Sequence, residues 1–251
     1  MFKLSCHNVN KIDWKNANTC LFDLKDVTVW KLHNDRFNSS LDQLHSLLQQ
    51  DEKNKAGFFK FEKDSNAYSI RRGMLKLLIS KYLSLDPVSL LFYNGKNNKP
   101  ALENNYNSAE LFFNVSYSKD ITLIAIADHD IGLDIEKVDS TFDYKEILQV
   151  LFSEKEKELI LHADNAANMF YTLFTRKESI VKASGKGISN SMIDILVTDG
   201  DHFINDKDGS FINSDLRVNS FFLDTEYIAS IACKNSSTCI NFYEADESLI
   251  G

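Results

Sequence analysis

Hydrophobic residues recur along this chain with two periods. Residues 27–32, Val-Thr-Val-Trp-Lys-Leu, are rich in β-branched and aromatic types and read as an early strand. Leu41, Leu44, Leu47 and Leu48 repeat at helical spacing behind Ser40, a residue type that caps helices. A second helix is predicted over residues 67–83. Ile70, Met74, Leu77, Leu78 and Leu83 form its apolar side, and Arg71, Arg72, Lys76 and Lys81 supply charge that solvation alone would explain. Residues 111–118 and 121–127 follow as strands, the second apolar almost throughout and therefore central. Ser153 and Glu156 stand at capping-box distance before a helix. The next helix is expected to open at Asp164 or Asn165, run to Ser184 and end at Gly185 and Gly187, where a left-handed cap is needed. Residues 192–197, 221–223, 227–233 and 238–242 are β-rich. Strands and helices mix without strict alternation, so the expected class is α+β.

Composition narrows the picture. With 251 residues, 43% hydrophobic and 12% aromatic, the chain can fill one large domain or two small ones. A net charge of −8 argues against a general nucleic-acid binder and a broad contact with anionic membrane, while leaving room for a local basic pocket. The four cysteines form no C-x-x-C pair and have no histidine at zinc-ligand spacing, as for idle thiols in a reducing compartment. The first residues lack the apolar core of a signal peptide, and the longest apolar run, residues 121–127, is too short to span a bilayer. A soluble, cytoplasmic protein is expected. P-loop, dinucleotide-binding, nucleophile-elbow and H-E-x-x-H signatures do not occur.

Two segments carry candidate chemistry. In Gly132-Leu133-Asp134-Ile135-Glu136, an extended strand turns Asp134 and Glu136 to one face and Leu133 and Ile135 to the other. Side-by-side carboxylates repel and call for a cation or a shared proton; Mg²⁺ suits them because it takes hard oxygen ligands and keeps positions for water and phosphate. A solvated edge strand is the plain alternative. In Phe174-Thr175-Arg176-Lys177-Glu178-Ser179-Ile180-Val181-Lys182, Glu178 and Lys182 share a helix face and could be an ordinary surface pair. Phe170, Leu173, Phe174, Ile180 and Val181 leave that helix only a narrow polar stripe, which points instead to the wall of a cleft. Three carboxylates and a lysine on two rigid elements meet the needs of Mg²⁺-assisted phosphoryl transfer.

Both segments resemble the signatures of the Sfp-type 4′-phosphopantetheinyl transferases, roughly G-[IV]-D-x-E and [FW]-[SCT]-x-K-E-[SA]-x-x-K. The second is matched throughout; Leu133 departs mildly from the first. Asn98-Lys99-Pro100 resembles the family's G-K-P, and Phe113-Asn114-Val115-Ser116-Tyr117-Ser118 its F-N-[IL]-S-H-S, with Tyr117 where histidine is usual. Phe152-Ser153 and Gly185-Lys186-Gly187 also fall where expected. The resemblance implies two similar α+β halves related by a pseudo-twofold axis, residues 1–130 and 131–251, with the active site in the cleft between them and the metal site on the second. It implies transfer of 4′-phosphopantetheine from coenzyme A to a serine of an apo acyl or peptidyl carrier protein, by a monomer that uses Mg²⁺. Asp134, Glu136 and Glu178 would hold the metal, with Asp134 also beside the coenzyme A. Glu178 would double as base, and Lys182 would contact the pyrophosphate. Lys99, Ser116 and Tyr117 would bind the nucleotide end. A family arginine falls on Ala67, so Lys55, Arg71, Arg72 and Lys76 become the candidate cations for the 3′-phosphate. The competing reading is a coenzyme A or nucleotide-binding protein of the same fold that is non-catalytic or differently specific.

Overall fold

Alternating and continuous apolar runs become strands of two five-stranded sheets in the computed structural model, which describes residues 1–95, 99–103, 110–185, 190–204, 215–235 and 239–250. In the first sheet the order is β2 (Trp14–Asn16), β12 (Ile240–Glu244), β3 (Val27–His33), β7 (Ile121–Ala127) and β6 (Phe112–Ser118). In the second it is β8 (Gly132–Lys137), β11 (Tyr227–Lys234), β10 (Leu216–Phe222), β1 (Phe2–Val9) and β9 (Gly200–Ile204). A small pair, β4 (Phe92–Asn94) and β5 (Pro100–Leu102), stands apart.

The connectivity repeats. One unit runs β3, helices α1 (Leu41–Ser46), α2 (Gln50–Gly57) and α3 (Glu62–Leu83), then the antiparallel β6–β7 hairpin. The other runs β8, helices α4 (Lys145–Leu151), α5 (Glu154–Leu161) and α6 (Ala166–Ser184), then the antiparallel β10–β11 hairpin. In each, the last hairpin strand inserts antiparallel beside the first strand of its unit, giving β3-β7-β6 and β8-β11-β10. This is the two-halved α+β fold. The outermost strands of the chain cross over: β1 runs parallel to β10 in the second sheet, and β12 runs parallel to β3 in the first.

Three cores account for the layering. Leu44, Ile70, Met74 and Leu78 seal α1 and α3 onto the first sheet. Phe170, Leu173 and Ile180 of α6 seal onto the second with Leu4 and Cys6 of β1. Between the sheets, Val29, Leu123 and Ala125 meet Leu133, Ile135, Ala229 and Ile231. Residues 121–127 are buried at every position, as a central strand requires.

Local signals translate where their partners are local. Ser153 and Glu156 form the capping box of α5, Asn165 caps α6, and Gly185 closes it at φ +65°. Three expectations change. Helix α3 starts at Glu62, ahead of its apolar repeat, and the Ser65 hydroxyl in its first turn donates to Ala56 O at 2.8 Å. Ser40 makes no cap; its hydroxyl turns to Glu247 instead. Residues 192–197, expected to be β-rich, form no strand; the first three lie in a 3₁₀ turn, Asn190–Asp194, and the rest is irregular. Lys186 and Gly187 lie outside the described residues, as does Asn98. All four cysteines are free thiols. No helix among the described residues is long and apolar enough to cross a membrane.

Candidate active site

Helix α6 lies directly against β8, and Gly132 is the reason it can. A Cβ there would stand 1.8 Å from Ser179 O and 2.4 Å from Ala183 N. With helix and strand so close, and Leu133 and Ile135 committed to the core between the sheets, Asp134 and Glu136 turn towards Glu178 and Lys182.

The other wall is β6. Strand β8 is the edge of its sheet, so its outward N–H groups need partners from elsewhere. Alternate side chains of β6 supply them. Leu133 N donates to Asn114 Oδ1 at 2.8 Å, Ile135 N to Ser116 Oγ at 3.3 Å and Lys137 N to Ser118 Oγ at 3.0 Å. The hydroxyls then donate onward, Ser116 to Asp134 Oδ1 at 3.1 Å and Ser118 to Glu136 Oε2 at 3.3 Å. A polar ladder of side chains thus joins the facing edges of the two sheets and orients both carboxylates. Asn114 and Ser118 were not singled out from sequence, although their alternation with Ser116 was visible.

Between these walls is a cavity of about 380 Å³ lined by Ser116, Tyr117, Asp134, Glu136, Glu178 and Lys182, with Val115 and Phe174. Lys182 does not pair with Glu178 one turn away. Its Nζ crosses to Asp134 Oδ1 at 2.6 Å and to Ser116 Oγ at 3.1 Å. The second oxygen, Asp134 Oδ2, is buried without any hydrogen-bond partner. Burial, then the Asp134 and Glu178 charges, push the Glu136 carboxyl up to about 7, against the Ser118 hydrogen bond and Lys182. Burial and Asp134 raise Glu178 likewise, with Lys182 opposing.

Whether these groups suit a divalent cation can be judged from their chemistry. No three Asp, Glu, His or Cys side chains among the described residues are gathered into a metal cluster as they stand; the Lys182 ammonium supplies the counter-charge. An orphaned buried carboxylate oxygen beside two carboxyls raised by burial and like charge is, however, a donor set that hard cations favour.

The remaining candidate residues divide. Lys99 donates to Ile131 O at 3.1 Å and lines a neighbouring cavity of about 430 Å³ with Asp130 and Gly185; burial lowers its pKa. Lys55 is exposed on α2, its ammonium 5.5 Å from the Tyr68 ring centroid. Arg72 and Lys76 turn inward to Glu52. Arg72 hydrogen-bonds buried Glu52, and Lys76 is fully buried with Nζ 3.2 Å from Glu52 Oε2. Arg71 lies over the Tyr117 ring at 3.8 Å from its centroid.

The two cations ahead of Glu178 are also internal. Arg176 donates to Ser220 Oγ, Val197 O, Asn8 Oδ1 and Asp199 Oδ1. Lys177 donates to Met192 O at 2.9 Å and Ile195 O at 2.7 Å and pairs with fully buried Glu156 at 3.2 Å. A larger groove of about 960 Å³ follows another face of α6, past Asn168, Thr172 and Arg176, away from the carboxylates.

Residues 130–232 match the family profile described as the 4′-phosphopantetheinyl transferase superfamily, and residues 30–129 match the 4′-phosphopantetheinyl transferase N-terminal profile. A 4′-phosphopantetheinyl transferase of Nostoc sp. is 29% identical over 177 residues, 69% of this chain and 75% of the relative. One of Bacillus subtilis is 27% identical over 207 residues, 79% of this chain and 87% of the relative. The transferase Sfp of Bacillus subtilis (strain 168) is 27% identical over 146 residues, 57% of this chain and 63% of the relative.

Proposed function

The chain belongs to the 4′-phosphopantetheinyl transferase superfamily, and from that premise we propose that it transfers 4′-phosphopantetheine from coenzyme A to a serine of an apo acyl or peptidyl carrier protein. Adenosine 3′,5′-bisphosphate is the other product. The halves 1–130 and 131–251 frame the cleft, and the enzyme works as a cytoplasmic monomer.

The observation that carries this reading is the Asp134 carboxylate, one oxygen held by Lys182 and Ser116 and the other buried and unpaired, with two more carboxylates in the same cavity. Asp134, Glu136 and Glu178 would hold Mg²⁺, which when bound supplies positive charge for pyrophosphate oxygens. The chain's own groups do the rest. Lys182 sits where its ammonium can leave Asp134 for the pyrophosphate and offset charge on the departing phosphate. Glu178, with a pKa raised by burial, is suited to take the proton of the carrier serine as its oxygen bonds to the β-phosphorus. The bond from that phosphorus to the bridging oxygen breaks, and the bisphosphate leaves. Ser116, Tyr117 and Lys99 face the nucleotide end. Lys55 and Arg71 replace Arg72 and Lys76 as the cations able to reach a terminal phosphate, because Glu52 already engages the latter two.

Mixing the protein with coenzyme A, Mg²⁺ and apo carriers of fatty-acid, polyketide and peptide-synthetase type, then weighing the carriers, tests the proposal. A gain of one phosphopantetheine is expected. Asp134→Asn and Glu178→Gln should each reduce turnover by about 100-fold or more with unfolding temperature retained. Coenzyme A binding with no carrier modified would favour the non-catalytic reading, and normal turnover in either variant would refute the residue roles.

A further inference from the structure

One ammonium serves a cavity with three carboxylates. Asp134, Glu136 and Glu178 line it, and Lys182 is the only cation among the described residues that do. Helix spacing would pair Lys182 with Glu178, one turn away. The ammonium crosses instead to Asp134, the one of the three that is buried. It is fastened there at two points, donating to Asp134 Oδ1 at 2.6 Å and to Ser116 Oγ at 3.1 Å. Ser116 Oγ also accepts from Ile135 N at 3.3 Å, which leaves its single proton for Asp134 Oδ1 at 3.1 Å. Strand β6 and helix α6 thus each hold a donor on the same carboxylate oxygen.

That carboxylate is contested. Its other oxygen, Asp134 Oδ2, is buried without a hydrogen-bond partner, the state of a donor atom that a hard cation would satisfy. A divalent cation on Asp134 and the Lys182 ammonium would then share one carboxylate group and repel each other across a few ångströms of half-buried space. With the ammonium in place, the three carboxylates are not gathered into a ligand set. The two partners differ in freedom. The Lys182 side chain is 30% exposed and can swing on its long stem, whereas Asp134 is 5% exposed and fixed on β8. A further anion in the cavity would therefore draw the lysine and leave the aspartate where it is.

We propose that Lys182 is a resident counter-ion that competes with the divalent cation for Asp134, and that the pyrophosphate of coenzyme A ends the competition by drawing the ammonium away. The inference rests on the transferase reading and adds its regulation. Metal alone binds weakly, and metal and coenzyme A bind in concert. By linkage, the factor by which coenzyme A tightens metal binding is the factor by which the metal tightens coenzyme A binding. Direct bridging of the metal by pyrophosphate oxygens would also couple the two, but it gives Lys182 no part in the affinity of the metal alone.

Lys182→Met and Lys182→Arg separate these cases, with Mn²⁺ as a paramagnetic probe whose free-ion resonance is lost on binding. Without coenzyme A, Lys182→Met should bind Mn²⁺ about tenfold or more tightly than the unaltered protein, and Lys182→Arg, which keeps the charge, should not. Coenzyme A should tighten Mn²⁺ binding by a larger factor in the unaltered protein than in Lys182→Met. Equal Mn²⁺ affinity in the unaltered protein and Lys182→Met, with unfolding temperature retained, would overturn the proposal and leave the carboxylates as metal ligands. An equal gain in Lys182→Arg would overturn it too, because the gain would not come from removing charge. No Mn²⁺ binding in any of the three proteins, with or without coenzyme A, would remove the metal role of the carboxylates and the proposal with it. The expected Mn²⁺ pattern in a protein that modifies no carrier would support the competition and count against the transferase reading alone.

Discussion

Replacing Lys177 with methionine removes one charge from a pair that is shut off from water. Lys177 is 1% exposed and Glu156 fully buried, so no solvent is at hand to compensate. The ammonium gives hydrogen bonds to Met192 O and Ile195 O as well as to the carboxylate. Methionine fills much the same volume, so little of the loss should come from a cavity. What remains is a buried carboxylate holding Ser153 N, Ser153 Oγ and Val197 N but no counter-charge, and two carbonyls deprived of their donor. Breaking one side of a buried pair typically destabilises by about 3–5 kcal/mol. That is a large part of the roughly 5–15 kcal/mol that holds an ordinary domain together. Burial already lowers the Lys177 pKa despite the Glu156 attraction, which shows how much desolvation the pair carries. Urea unfolding followed by circular dichroism, with the slope held common to both proteins, would measure the loss. Lys177→Met/Glu156→Gln should recover part of it, because a neutral amide can keep the bond from Val197 N. A loss below about 1 kcal/mol in the single variant, or a double variant worse than the sum of the two singles, would refute the reasoning.

Other expectations follow from the close packing and the shifted carboxylates. Gly132→Ala should destabilise by about 3 kcal/mol or more, read as a drop in unfolding temperature, because the contact is with backbone that cannot rotate away. A normal unfolding temperature would mean that α6 does not press on β8 as described. Glu136 binds its proton more tightly folded, at about 7, than in the unfolded chain, near 4.5. Its contribution to metal-free stability is therefore greatest below 4.5 and falls as pH rises through 7. Glu136→Gln should flatten that part of the profile of urea midpoint against pH; an unchanged slope would show that another group titrates.

The sequence made visible those features whose signals are near neighbours. Residues 121–127 announce a central strand because both faces are apolar, and the Ser153–Glu156 box and Gly185 mark helix ends by local chemistry. The pair Asp134 and Glu136 could be set on one face from strand geometry alone. What escaped depends on partners far along the chain. Strand β1 owes its place to β10, with Leu4 opposite Leu216, a pairing no window of sequence contains. The 192–197 segment has strand-like composition, yet Lys177 bonds the carbonyls of Met192 and Ile195 and holds the chain in a turn. Arg72 and Lys76 looked like solvated charge because their shared counterpart, Glu52, comes from another element. Lys182 had a plausible neighbour in Glu178 by helix spacing, and only the crossing of β8 under α6 gave it Asp134.

The crossing-over of the outermost strands bears on what happens if the chain is cut. Strand β12 sits between β2 and β3, and β1 between β10 and β9, so both crossed strands are interior rather than marginal. A break near residue 130 would leave two fragments, each with a gap in the middle of its own sheet and the missing strand on the other piece. Neither fragment could close its sheet alone, and each carries the part that completes its counterpart. The fold is thus a mutual clasp, in which each half of the chain holds an interior strand of the other half's sheet.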